Sequence, residues 1–290
     1  MRILIIGKDG QVGWELQTTL SPLGEVVAVG RDTIDLAHPD SICANIREIK
    51  PNLIVNAAAY TAVDRAEGEP DIAMAVNGTA LSVIAGEAKR VNASVIHYST
   101  DYVFDGKSSL PYTEDDLPNP LNIYGKSKQA GEVALVAAGV PYLIFRTSWV
   151  YGARGENFLL TILKLAGQKK ELTIVDDQIG APTSSRTIAR ATADAIIFAS
   201  ADQKTFSLAP VSGLYHLTAG GEVSWCGFAK EIVSRMNLPV VVTPIPASQY
   251  PTKAIRPVSS RLDCSKLKKV FGIVLPSWED ALGEVIGEMS

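Results

Sequence analysis

Apolar and polar positions along the first half of the chain follow two alternating periods. Residues 2–6 carry the unbroken apolar run Ile3-Leu4-Ile5-Ile6, and beyond a glycine-rich turn Trp14, Leu16 and Leu20 recur at helical spacing. Short apolar runs read as buried strands, and apolar residues three and four apart read as one face of a helix. The same alternation continues with a strand at 26–29, a helix opened by Pro39 and Asp40, and a strand at 53–55. Next come a helix across 70–90, with Ala73, Val76, Asn77, Ala80, Leu81 and Ile84 along one face, and a strand at 94–98. A helix over 124–135 and a strand at 142–146 complete the series. Strands alternating with helices predict an α/β fold: a doubly wound, Rossmann-like parallel sheet with helices on both faces.

Composition narrows the class of partner. With 290 residues and 47% hydrophobic content the chain can bury a large core. A formal net charge of −4 without any basic block argues against a nucleic-acid or anionic-membrane surface, so small soluble ligands are expected. Cys43, Cys226 and Cys264 are far apart and odd in number, which suggests neither a disulfide framework nor a zinc site and fits a reducing cytoplasm. No apolar stretch approaches the roughly 18 residues that a membrane helix needs, and the N-terminal run is too short for the core of a signal peptide.

Candidate chemistry gathers at the ends of the predicted strands. Gly7, Gly10 and Gly13 stand at i, i+3 and i+6 between the first strand and the first helix. Glycines there let the backbone approach a pyrophosphate, which then meets the free N–H groups of the helix. After the second strand, Gly30-Arg31 replaces the acid expected for a ribose 2′-hydroxyl. Arg31 suits a 2′-phosphate, favouring NADPH over NADH, although Asp32 and Asp35 stand close by. Asp35 and Leu36 are placed to flank the adenine, and the small residues that end the third strand, up to Ala59-Tyr60-Thr61, leave room for a ligand. The fourth strand ends in Ser99-Thr100-Asp101, which brings hydroxyls and a carboxylate to the same edge, while His97 reads as strand packing.

Tyr124 and Lys128, four residues apart in Tyr-Gly-Lys-Ser-Lys, fall on one helix face. A lysine charge beside a phenol favours phenolate, which would tune Tyr124 as a general acid and base.

These motifs, in this order, resemble the extended short-chain dehydrogenase/reductase family. The resemblance rests on GQVGWELQ at 10–17, VNAAAYTAVDRAE at 55–67, YSTDYVFDG at 98–106 and YGKSK at 124–128. It continues through FRTSWVYG at 145–152, QIGAPT at 178–183, Arg256-Pro257, and SRLD at 260–263. It implies NADPH-dependent reduction of the C4 ketone of dTDP-4-dehydro-6-deoxy-L-mannose to dTDP-L-rhamnose, with NADH as the alternative reductant. Tyr124 would be the proton donor, Lys128 the group on the nicotinamide ribose, and Thr100 the hydroxyl that polarises the carbonyl. Gly10, Gln11, Val12, Ala59, Tyr60 and Thr61 would contact the cofactor, and Asp101 and Trp149 the sugar. Arg256 would bind the diphosphate.

The implied division is a dinucleotide-binding domain over 1–150, with a returning segment near 180–217, and a smaller C-terminal α/β substrate-binding lobe made mainly of 151–290. Helices are expected at 186–199, 225–236 and 278–289, the last two as ordinary packing. Glu15 and Glu288 are the acids to consider for a divalent ion such as Mg or for a homodimer contact, but the sequence gives no support for a metal. The alternatives are another NAD(P)-dependent nucleotide-sugar epimerase or reductase, and a non-catalytic regulatory subunit with the same fold.

Overall fold

The computed structural model describes residues 1–200 and 206–289. β1 (Arg2–Ile6), α1 (Gln11–Leu20), β2 (Glu25–Val29), α2 (Pro39–Ile49) and β3 (Leu53–Asn56) follow the predicted alternation. Pro39 sits at the first helical position of α2, where its missing N–H costs nothing. α3 (Val63–Ala66), α4 (Pro70–Met74) and α5 (Ala80–Val91) come next, and a π-helical turn over Ala75–Thr79 joins the last two. β4 (Ser94–Thr100), α6 (Ile123–Ala137) and β5 (Tyr142–Thr147) complete the first half. β4 runs two residues beyond the predicted end and includes Ser99 and Thr100, the latter also capping the turn that follows.

The chain continues with β6 (Val150–Tyr151), α7 (Phe158–Ala166), β7 (Glu171–Val175), β8 (Ile179–Gly180), β9 (Thr183–Ser184) and α8 (Ser185–Ser200). β10 (Gly213–His216), β11 (Val223–Ser224), α9 (Trp225–Arg235), β12 (Val241–Ile245), α10 (Ser265–Phe271) and α11 (Trp278–Met289) finish it. The six-stranded sheet has the order β10-β5-β4-β3-β1-β2, and every pairing in it is parallel. Its order reverses between β1 and β3, the point at which doubly wound sheets open a ligand crevice.

Alternation along each strand decides which helix it meets. Ile3, Ile5, Val55, Ile96 and Phe145 pack with residues of α1 and α8 on one face, and Leu4, Ile6, Ile54, Val95 and Ile144 with those of α2 and α5 on the other. Both faces are covered, which explains why the strands read as continuous apolar runs. A separate cluster around Tyr151, Leu159, Phe228, Trp278 and Leu282 forms the core beneath α7, α9 and α11. Cys43, Cys226 and Cys264 are free thiols. Among the described residues no helix is long and apolar enough to cross a membrane.

Candidate active site

The turn after β1 is dictated by backbone clearance. Gly7 has φ +95°, and a Cβ on it would lie 2.7 Å from the Ala58 nitrogen; a Cβ on Gly13 would lie 2.0 Å from the Gly7 carbonyl oxygen. Side chains there would push β1, α1 and the segment after β3 apart. Gly10 caps α1 with extended backbone and no side-chain acceptor, so the first-turn N–H groups stay free at the positive end of the helix. A phosphate-bearing nucleotide fits such a cradle. The Gln11 side-chain carbonyl accepts from Asn157 at 3.0 Å, which ties the start of α7 over the turn, while Val12 packs into the core.

At the end of β2, a Cβ on Gly30 would meet carboxylate oxygens of Asp9 and Asp32 at 2.6 and 2.7 Å. Arg31 is 82% exposed and pairs with Asp35 at 3.2 Å. The Ala37 backbone N–H, and then Arg31, hold the Asp35 carboxyl below its usual range. Leu36 is buried among Ile34, Ile42 and Ile46, so its side chain belongs to the core.

Beyond β3, Ala59, Tyr60 and Thr61 are held by a residue that the apolar pattern had absorbed. Asn77, in the π turn, accepts from the Tyr60 N–H at 2.8 Å and donates to the Tyr60 carbonyl at 3.0 Å and to Ser127 Oγ at 3.0 Å. It fastens the loop to α6. The only sign of it in the sequence is an amide on an otherwise apolar helix face. The Tyr60 hydroxyl donates to Glu69 at 2.7 Å.

Thr100 and Asp101 from β4 and its following turn meet Tyr124 from α6. Asn122 caps α6 by accepting from the Gly125 N–H at 2.8 Å. Gly125 is required because a Cβ would lie 2.2 Å from the Tyr102 carbonyl oxygen, and Gly131 because its Cβ would lie 2.2 Å from that of Asn77. These close approaches carry the helix deep against the strand ends. The Thr100 hydroxyl donates to Asp101 at 2.9 Å and lies beside the Tyr124 phenol.

Burial dominates the electrostatics. It pushes the Tyr124 phenol up to about 12, against the downward pull of Thr100, and the Asp101 carboxyl up to about 6. Burial likewise pushes the Lys128 ammonium down to about 7, with Glu132 opposing the shift. The expected acidification of Tyr124 by Lys128 is therefore corrected: desolvation wins at both groups. Lys128 Nζ turns into the sheet, donating to the Tyr98 carbonyl at 2.6 Å and standing 3.1 Å from His97 Nε2. The reading of His97 as mere packing is corrected by the same contact.

The other predicted residues come from farther along the chain. Trp149, at φ +47°, stacks on Trp225 with ring centres 3.5 Å apart and planes 4° apart. A Cβ on Gly180 would strike the Trp149 indole at 2.5 Å. Trp225 is thus part of a partly buried aromatic pair, in addition to opening a packing helix. Arg256 pairs with Asp64 at 2.8 Å and lies against the Tyr102 phenol. Glu15 and Glu288 both face Arg186, Glu15 at 3.6 Å, so the guanidinium occupies the space between the two acids.

The family model described as the RmlD substrate binding domain matches residues 1–290. The chain is 47% identical to the dTDP-4-dehydrorhamnose reductase of Burkholderia thailandensis, over 100% of this chain and 99% of that one. It is 43% identical to the enzyme of the same name from Escherichia coli K12, over 100% and 98%. The crystal structure of dTDP-4-dehydrorhamnose reductase from Bacillus anthracis in complex with NADP superposes with a TM-score of 0.92 at 34% identity, covering 99% of both chains. With sequence similarity and fold agreeing from end to end, the chain belongs to the RmlD family of dTDP-4-dehydrorhamnose reductases.

Proposed function

We propose that this chain reduces the C4 ketone of dTDP-4-dehydro-6-deoxy-L-mannose to dTDP-L-rhamnose, using NADPH. The observation that carries the reading is the meeting of Thr100 from β4 with Tyr124 from α6, with Lys128 one turn along α6, at the sheet edge that also bears the glycine turn. The activity named for relatives matched over their full length supports it.

The free N–H groups of α1, with Gly7, Gly10 and Gly13 giving clearance, would hold the pyrophosphate, flanked by Gln11 and Val12. Arg31 would meet the 2′-phosphate, with Asp35 and the Leu36 backbone beside the adenine. Ala59, Tyr60 and Thr61 would line the nicotinamide end, and Lys128 would hold its ribose. When bound, the reduced nicotinamide supplies the hydride that reaches the C4 carbonyl carbon.

The carbonyl oxygen then gains negative charge, and donors already placed where that charge develops stabilise the transition state more than the ketone. Tyr124, protonated at neutral pH because burial raises it, gives its proton to this oxygen. The Thr100 hydroxyl turns from Asp101 to the same oxygen. Asp101 Oδ2 is buried near the Ser260 hydroxyl without a full hydrogen bond among the described residues, which suits a sugar hydroxyl. The Trp149–Trp225 pair offers an indole face to the apolar face of a sugar, and Arg256 a guanidinium to the diphosphate. The proposed division keeps 1–150 and the segment near 180–217 as the dinucleotide domain, with the lobe under α7, α9 and α11 capping the substrate. The three free thiols support a reducing, cytoplasmic setting. A homodimer remains part of the proposal, and sedimentation of the purified chain decides it.

The test is to follow NADPH absorbance after adding the ketosugar nucleotide made in situ. Oxidation matched by dTDP-L-rhamnose formation is expected. No oxidation with tightly retained NAD would replace this reading with an epimerase, and neither would favour a regulatory subunit.

A further inference from the structure

β4 carries a fully buried imidazole at His97, in register with Asn56 of β3 and Ile144 of β5. Both of its ring nitrogens are engaged. Nδ1 accepts from the Asn56 side-chain amide at 3.2 Å, so the neutral ring carries its proton on Nε2, 3.1 Å from the nitrogen of the Lys128 amine. Asn56 is itself fixed, since its Oδ1 accepts from the Ala58 N–H at 3.2 Å. Ala58 in turn abuts Gly7, whose hypothetical Cβ would lie 2.7 Å from the Ala58 nitrogen. A continuous line of contacts thus runs from the glycine turn through Ala58, Asn56 and His97 to Lys128.

A buried amine tolerates few unpaired protons. Lys128 is 2% exposed, and the contacts of its Nζ are the Tyr98 carbonyl, which turns it inward, and His97. Glu132, one turn along α6, is held by Arg146 at 2.6 Å and takes no hydrogen bond from Nζ. With two fixed partners Nζ is held at one place, and its remaining proton has one direction. With the Tyr98 carbonyl alone, it would swing about a single bond.

We propose that His97, anchored by Asn56, is a positioning residue that fixes Lys128 Nζ beneath the cofactor cleft and thereby sets nicotinamide-nucleotide affinity and turnover together. This rests on the reading of Lys128 as the ribose-binding group. Misplacing such a group by about 1 Å costs up to roughly 100-fold in rate.

The experiment compares His97→Leu, which removes the polar partner of Nζ, with His97→Gln, whose side-chain amide restores one. NADP⁺ affinity is measured by quenching of protein fluorescence, and turnover with NADPH and the ketosugar. His97→Leu is expected to weaken NADP⁺ binding and lower kcat by about ten-fold each, with His97→Gln recovering most of both. Wild-type behaviour in His97→Leu, or no recovery in His97→Gln, overturns the proposal. Should His97→Leu fail to fold, the test moves to the imidazole nitrogen NMR shifts of the otherwise native protein, which has three histidines. On Lys128→Met the His97 signal is expected to move while His38 and His216 stay; an unmoved His97 signal overturns the proposal. Nucleotide binding and the NMR shifts need no ketosugar, so an error in the substrate assignment shows separately, as wild-type protein that binds NADP⁺ but does not oxidise NADPH.

Discussion

The carboxyl edge of the parallel sheet and the lobe beyond Tyr151 supply the proposed site in different ways. At the sheet edge Lys128 and Asp101 are buried and Tyr124 is partly so, and desolvation sets their chemistry: Tyr124 at about 12, Lys128 at about 7 and Asp101 at about 6. In the lobe and at the rim, Trp149 and Trp225 stack partly buried, Arg256 is ion-paired with Asp64, and Arg31 stands mostly in water. Desolvated groups change reactivity, whereas solvated ones contribute contact and modest affinity. The comparison therefore separates the residues expected to govern kcat from those expected to govern KM.

The sharpest way to break it is Tyr124→Phe. Turnover should fall by at least about 100-fold while NADPH affinity barely changes, as read from single-turnover rates and fluorescence titration. Near-normal turnover would remove the phenol from the reaction. The pH profile comes next. Asp101 is raised from its ordinary value, so its carboxylate, the form that accepts from a sugar hydroxyl, appears only above about 6. Lys128 is lowered, so its charged form is lost above about 7. Accordingly kcat/KM should rise through about 6 and fall through about 7, each limb changing about ten-fold per pH unit. Lys128→Arg should abolish the upper limb, because a guanidinium does not deprotonate in this range.

On the lobe side, Trp225→Ala removes the partner of the Trp149 stack. An aromatic pair contributes about 0.5–1.5 kcal/mol beyond its buried area, so KM for the sugar nucleotide should rise roughly three- to ten-fold with NADPH affinity intact. A fall in kcat without a change in KM would contradict the division. The smallest effect is expected at the rim, where Arg31→Ala should raise KM for NADPH only about three-fold and leave KM for NADH unchanged, as befits an exposed cation. A loss above about 100-fold would mean that Arg31 leaves Asp35 and becomes buried with the cofactor.

Much of the sheet edge was legible because its signals are local. Gly7, Gly10 and Gly13 lie within one turn, and Tyr124 and Lys128 within one helical repeat, so spacing alone places them. His97, Asn77 and Trp225 were not legible in the same way. Their partners lie far along the chain: Lys128 for His97, Tyr60 and Ser127 for Asn77, and Trp149 for Trp225. Asn77 and His97 each sat within an apolar pattern that concealed a polar role. Arg186 was likewise not legible as the partner of Glu15 and Glu288, which lie far from it along the chain.

The order of apolar runs and glycines was enough to specify an α/β sheet, its parallel sense, the edge where ligands gather and the helix face shared by Tyr124 and Lys128. Periodicity acts over a few residues and is written directly in the chain. Tertiary structure alone decided the protonation of those groups, the inward turn of Lys128 onto Tyr98 and His97, and the pairing of Trp149 with Trp225. Each of these depends on how much water is excluded and on which distant backbone or side chain fills the space. Neither quantity has a period along the sequence.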